Sequence, residues 1–557
     1  MSDMMQSEAA QRMISERFGS AGIPIDEVVV RAYPEETVFV VHVRRVDIPR
    51  ASELGIALDE ELQQRGFRGF VTVRTRDAIQ AVGAAFSTKA GVADPCAADL
   101  LGLLTSRART SESQPSLEYV QDAAENLTRV LAARHSLIFG RRGAGKTSLM
   151  LEAKRQILTA KNLVAWLNIQ TYRNEPLPRA TLWILAKVVD VLLSKVADDT
   201  RQQILMGDLS RLRADIERLL GEQNASEDQI VRLVPYAQSA IKRFCDTSAV
   251  RLYVFLDDFH YISRTHQPQL LDYLHSCVRD ADAWLKVAAV RHFARWYQND
   301  PPLGLQAGQD AVAIDLDLTL QDPGRAKRFL EAVLEGFARH VGIPRISALY
   351  AEQALDRLLL ASGAVPRDYL VLAASALAHA RERAGARQAG RQDVTRAAGD
   401  IAKTKIAELE DDSASETGTN SRLLRALEIT REFCLSERKH TVFLIDFRDK
   451  EQRTLEYGLL QGLMDMRLVH LANSSVSDTH ESGVRSEAYV LDLSQYSGER
   501  LKKRLHALDF EGGHMVLKTT GTTQPPRIGD TPRKLITILR GAPRLELVAY
   551  SQIFAQA

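Results

Sequence analysis

Ser136–Ser148 reads SLIFGRRGAGKTS. An apolar run, Leu137-Ile138-Phe139, leads into Gly140, four residues follow, and Gly145-Lys146-Thr147 completes the G-x-x-x-x-G-K-[ST] pattern of a phosphate-binding P-loop. The chemistry demands this spacing. A triphosphate is wrapped by backbone N–H groups, so the main chain must approach closely, and a glycine-rich turn allows that. The loop then opens a helix whose N-terminus favours anions. Gly140, Arg141, Arg142, Gly143, Ala144 and Gly145 are the candidate wall of the site, continued by Ser148 in the first helical turn. Lys146 is placed for the β- and γ-phosphates, and the Thr147 hydroxyl for a metal. The expected ligands are ATP and Mg²⁺.

A second motif lies downstream. Leu252–Leu256 is an apolar run ending in Asp257-Asp258. A buried strand holds a carboxylate rigidly beside a metal, so Asp257 is the candidate Mg²⁺ ligand and Asp258 the candidate catalytic group that orients or deprotonates a water. Buried strands often end in Asp; the pattern gains weight because it follows a complete P-loop. Two arginines are placed to act with it. Arg291 follows the run Trp284–Val290, where a cation at a strand tip reaches a γ-phosphate. Arg367 follows Pro366 at the start of an apolar helix; an arginine there opposes the helix dipole and invites a functional explanation. Tyr119, with Val120, is a candidate adenine contact in a segment of helical spacing, Leu117–Arg134, and simple packing is the alternative.

The rest of the chain divides around these motifs. With 557 residues, three or four domains are expected. Residues 1–86 alternate helix and β-rich runs in a small α/β unit, with Pro34-Glu35-Glu36 as a turn, and suit a protein-contact module. Residues 87–116 read as a linker, 117–320 as the P-loop core, 321–410 as a helical lid and 411–420 as a polar linker. The core carries a helical insertion at 181–245, broken near 198–200 and 224–226, which offers a second surface for a protein partner. Residues 421–510 follow the order of a winged helix, and 511–557 read as a basic tail. The fold class expected is α/β: a P-loop core with a parallel sheet, a helical lid, a C-terminal winged helix and a small N-terminal α/β domain.

Bulk properties narrow the partners. With 72 basic and 71 acidic residues, no global charge drives the chain onto nucleic acid or a membrane. Residues 421–500 hold 11 basic and 13 acidic residues, and the presumed recognition helix, LEYGLLQGLMDM, has no Arg or Lys, so duplex DNA and protein both stay open as partners of 421–557. The four cysteines form no C-x-x-C pair, and the N-terminus lacks a signal pattern, which suits a cytoplasmic protein without a membrane span.

FGRRGAGKTSL, FLDDFHYI and GAVPRDYL, in the order core, lid, winged helix, give residues 117 to about 500 a resemblance to AAA+ ATPases of the origin-recognition initiator type and their bacterial relatives. The resemblance implies that Lys146 and Thr147 match the Walker A pair, Asp257 and Asp258 the Walker B pair, and Arg367 the sensor-2 arginine. It implies ATP hydrolysis used as a conformational switch, self-assembly, and a role on DNA, with bacterial antiviral defence or a mobile element as settings. Arg291 stands where initiators usually carry Asn and is more similar to STAND signalling ATPases, which implies a nucleotide-bound scaffold as the alternative. Arg264 and Arg279 are candidates for an arginine finger.

Overall fold

The computed structural model describes residues 2–32, 37–43, 47–64, 69–75, 86–107, 119–122, 124–196, 203–222, 225–411, 419–478, 481, 483–497 and 504–555. The expected turn at 34–36, most of the helical breaks at 198–200 and 224–226, and the linker segments at 108–116 and 412–418 lie outside the described residues.

The chain forms two units. In the N-terminal one, α1 (Ser2–Ser20), β1 (Ile25–Ala32), β2 (Thr37–Val43), α2 (Ile48–Gln64) and β3 (Gly69–Thr75) build a three-stranded sheet. β2 pairs antiparallel with β1 and parallel with β3. Ile14 and Phe18 of α1 and Leu58 and Leu62 of α2 bury against Phe39 and Val41, so both helices pack on one apolar cluster.

The larger unit begins with α3 (Pro95–Arg107), α4 (Asn126–Leu131), β4 (His135–Phe139), α5 (Lys146–Thr159) and β5 (Leu163–Asn168). Three long helices follow, α6 (Leu177–Val196), α7 (Gln203–Gly221) and α8 (Glu227–Ser248), then β6 (Leu252–Asp257), α9 (Gln267–Val278) and β7 (Ala283–Ala289). A short hairpin, β8 (Tyr297–Asn299) and β9 (Pro302–Gly304), precedes β10 (Ala311–Asp315). The five long strands form a parallel sheet in the order β10-β4-β7-β6-β5. Successive residues of a strand face opposite sides. Leu137 and Phe139 accordingly enter the core under α6–α9, while Ile138 enters the one under α5. A sheet buried on both faces needs near-continuous apolar strands, which the runs at 137–139, 163–167 and 252–256 supply.

Four helices come next: α10 (Pro323–His340), α11 (Glu352–Ala361), α12 (Pro366–Glu382) and α13 (Arg391–Asp411). The expected linker is corrected here. Pro95–Arg107 is α3, which buries Ala97, Leu100 and Leu104 and packs on α12; the apolar spacing of 97, 100 and 104 outweighs the polar composition that follows. The expected helical run 117–134 is also shorter, since among its described residues only Asn126–Leu131 is helical.

The last part contains α14 (Thr419–Glu432), β11 (Val442–Asp446), α15 (Phe447–Gln452), α16 (Thr454–Asp465), β12 (Val469–Ser477) and β13 (Arg485–Leu491). β13 pairs antiparallel with both β11 and β12. The expected tail from 511 is corrected too: it is folded. β14 (His506–Glu511), β15 (His514–Thr519) and β16 (Arg527–Gly529) form an antiparallel sheet, followed by α17 (Pro532–Arg540) and α18 (Ser551–Ala555). Gly512 and Gly513, at φ +57° and +82°, make the β14–β15 turn, so a boundary at 510 falls inside a hairpin. Among the described residues no helix is long and apolar enough to cross a membrane.

Candidate nucleotide site

Parallel strands end on one edge of the sheet, and that edge gathers the two motifs. Thr147 Oγ1, in the first turn of α5, donates to Asp257 Oδ2 at the end of β6 over 2.8 Å, although 110 residues separate them. Burial raises the Asp257 pKa to about 6, helped by the charge of Asp258. Asp258 takes the left-handed conformation at φ +55°, and its N–H donates to Asp257 Oδ1. Burial also raises the Asp258 pKa, against the lowering charges of Lys146 and Arg142. A hydroxyl and a carboxylate are the hard oxygen donors that Mg²⁺ takes, so Thr147 and Asp257 fit it.

The loop itself is tightly wound. A Cβ on Gly140 would lie 2.9 Å from that of Ala144, whereas one on Gly145, at φ +98°, would meet nothing within 4 Å. The loop is thus closed by glycine at its start and open at its end. Lys146 is only 6% exposed, and its ammonium donates to Gly140 O at 2.7 Å and Arg141 O at 3.2 Å. Burial pulls its pKa down, against the raising charges of Asp258, Asp317, Asp257 and Asp465.

α12 reaches the loop through backbone. The Arg367 N–H donates to Gly143 O at 3.2 Å, and a Cβ on Gly143 would stand 2.7 Å from that of Arg367. Arg367 therefore lies at the P-loop. Arg291 begins a short 3₁₀ turn after β7; its guanidinium lies 4.6 Å from the Phe139 ring centroid and 3.4 Å from Asp315 Oδ2. It spans β4 from the tip of β7 to the tip of β10. Tyr119 is half-buried beside α5, where Asp122 and Glu152 face its hydroxyl. Arg142, Ala144 and Ser148 are partly buried.

Arg141 departs from the expected role. Its N–H donates to Asp317 Oδ1 at 2.8 Å, and its buried guanidinium donates to Asp317, Leu318 O and Gly363 O. It also meets His470 Nδ1 on β12 at 3.4 Å. Arginine always donates, so Nδ1 is the acceptor and the His470 proton sits on Nε2, which donates to Asp492 Oδ2 at 2.7 Å. Asp492 holds Lys405 at 3.0 Å, and Lys405 and Arg467 both pair with Asp368, next to Arg367. A buried chain of charges thus runs from the P-loop through β12 and α13 to the start of α12. Gly363 is essential to it: at φ +55° its Cβ would stand 2.0 Å from His470 Nδ1.

The motifs did not announce Asp317, His260 or Asp465. Asp317 follows β10 and could have been suspected from its acidic alternation with Asp315. His260 is partly buried, with both ring nitrogens inaccessible and without a hydrogen-bond partner among the described residues; burial, with the charges of Lys146 and Arg142, holds it neutral. Asp465 comes from α16 and had no sequence signal.

No protein-family model matches the chain, and no curated protein does either. A set of solved structures is similar to it, among them two of low identity. One is Aeropyrum pernix Orc1 in complex with DNA, at 16% identity and TM-score 0.35, covering 67% of this chain and 90% of that one. The other is a Walker-type ATPase of Pyrococcus abyssi, at 14% identity and TM-score 0.37, covering 68% and 97%. Likeness at this level leaves the reading to the site's own geometry.

Proposed function

We propose that the chain is an Mg²⁺-dependent AAA+ ATPase of the origin-recognition kind, used as a nucleotide-controlled switch. The observation that carries this is the 2.8 Å Thr147–Asp257 hydrogen bond, which joins a complete P-loop to an acidic strand end. Lys146 and the loop N–H groups would bind the phosphates, and Thr147 and Asp257 would hold the metal, whose charge would stabilise the transferring phosphoryl. Asp258 orients the attacking water. Arg367, placed on the loop by its own N–H, reports the phosphates to the lid; Arg291 does so from the strand tip. Residues 421–510 form a winged-helix module that with 511–557 contacts duplex DNA, residues 1–86 or the 181–245 helices serve a protein partner, and the protein self-assembles in a bacterial defence or mobile-element setting.

The second reading is a STAND-like scaffold with negligible turnover. Arg291 supports it, being paired with Asp315 at the strand tip. ATP turnover by the chain, with and without duplex DNA, beside Lys146→Ala, separates the readings. DNA-stimulated turnover that the variant loses supports the switch; Lys146-dependent binding without turnover supports the scaffold. Binding that survives Lys146→Ala refutes both.

A further inference from the structure

α16 is the element that a winged-helix reading would lay on DNA, yet it is packed on the nucleotide core. His292 stands against it at Gly458, where a Cβ would lie 3.6 Å from the ring, and hydrogen-bonds Gln461. One turn further on Gly462 meets Leu423 of α14. Only the first turn, with Leu455 71% exposed, is open.

At its C-terminal end α16 delivers Asp465 to the P-loop. The carboxylate is 8% exposed, and its Oδ2 has no hydrogen-bond partner among the described residues. The charges facing it are Asp317, Arg141, Lys146 and Arg142. Three of these four are P-loop residues; Arg141 is held by Asp317 and Gly363, and Lys146 and Arg142 are the cations that a triphosphate would claim. A buried carboxylate without its full set of partners already bears a cost that neighbouring cations only partly offset, and an anion that takes those cations raises it.

We infer that Asp465 is an anionic latch: it makes docking of α16 on the core and binding of a nucleoside triphosphate antagonistic, so that nucleotide loosens α16 and exposes it to a partner. This rests on the P-loop reading above. The antagonism is electrostatic and reciprocal, as linkage requires.

The test measures binding of a non-hydrolysable fluorescent ATP analogue to the full chain, to Asp465→Asn and to Lys146→Ala, with amide exchange across residues 454–466. The latch predicts that the analogue speeds exchange there in the parent. Asp465→Asn should bind it about tenfold tighter, within the usual range of coupling between sites, and should lose the exchange response. Lys146-dependent binding that Asp465→Asn leaves unchanged or weakens overturns the latch alone. So does unaltered exchange in the parent, a measurement that needs no variant. Equal binding by the parent and Lys146→Ala overturns the nucleotide reading and the latch with it.

Discussion

Replacing Gly143 with alanine tests whether the start of α12 rests on the P-loop. Two penalties add. At φ +82° an L-residue is strained by roughly 1–2 kcal/mol. The new Cβ would also stand 2.7 Å from Arg367 Cβ and 3.1 Å from Val365 Cγ1, and overpacking of that kind costs about 1–3 kcal/mol. Gly145→Ala is the matched control, because Gly145 has a comparable φ of +98° with nothing within 4 Å of an added Cβ. The difference between the two variants, about 2 kcal/mol, isolates the contact with α12. Guanidinium unfolding reads the totals. Amide exchange in the first turns of α12 reads the local share, which should quicken roughly thirtyfold in Gly143→Ala and stay near the parent in Gly145→Ala. Equal loss of stability, with α12 unchanged in both, would refute the contact.

Three further outcomes are expected. Asp258→Asn should bind ATP as the parent does and lose turnover by a factor of about 10² or more; near-parental turnover would remove Asp258 from the catalytic role. Arg141→Ala removes a buried guanidinium that joins the loop, Gly363 and His470, and should destabilise the larger unit by about 3 kcal/mol; chemical denaturation checks this, and a loss under 1 kcal/mol would show the chain of charges to be unimportant. Docking of α16 should depend on pH. Burial and the Asp317 charge raise the Asp465 pKa to about 7, against the cations Arg141, Lys146 and Arg142. Exposed, the group titrates near 4, so its favourable contribution is complete below about pH 4 and is lost by about pH 7, at up to about 1.4 kcal/mol per unit. Exchange across 454–466, corrected for intrinsic rates, should rise over that window in the parent and not in Asp465→Asn.

What the sequence showed and what it hid follow from range. β4, α5 and β6 could be read because each couples a periodic apolar run to residue types at fixed short spacing. The 95–107 helix, with Leu100, Leu101, Leu103 and Leu104, is masked by the Ser- and Arg-rich composition that follows it. The β14–β15 hairpin carried a Gly-Gly signal but was read through its charge. Arg141 occupies a variable position of the motif, and its partners are 176, 222 and 329 residues away, so no local pattern encodes them. Asp465 likewise has no local signal, because its place near the loop arises only when α16 docks.

The strand order bears on how the chain must be made. β4 pairs with β7 on one side and β10 on the other, so His135 waits for Ala311. The loop that β4 introduces waits longer, because the Arg141 N–H is held by Asp317. A nascent chain that has emerged only as far as α9 therefore carries the whole glycine-rich motif without the strands that brace it. Pairings of such sequence separation form slowly. Competence to hold nucleotide should thus arise late in synthesis and abruptly, when the segment around residue 317 leaves the ribosome.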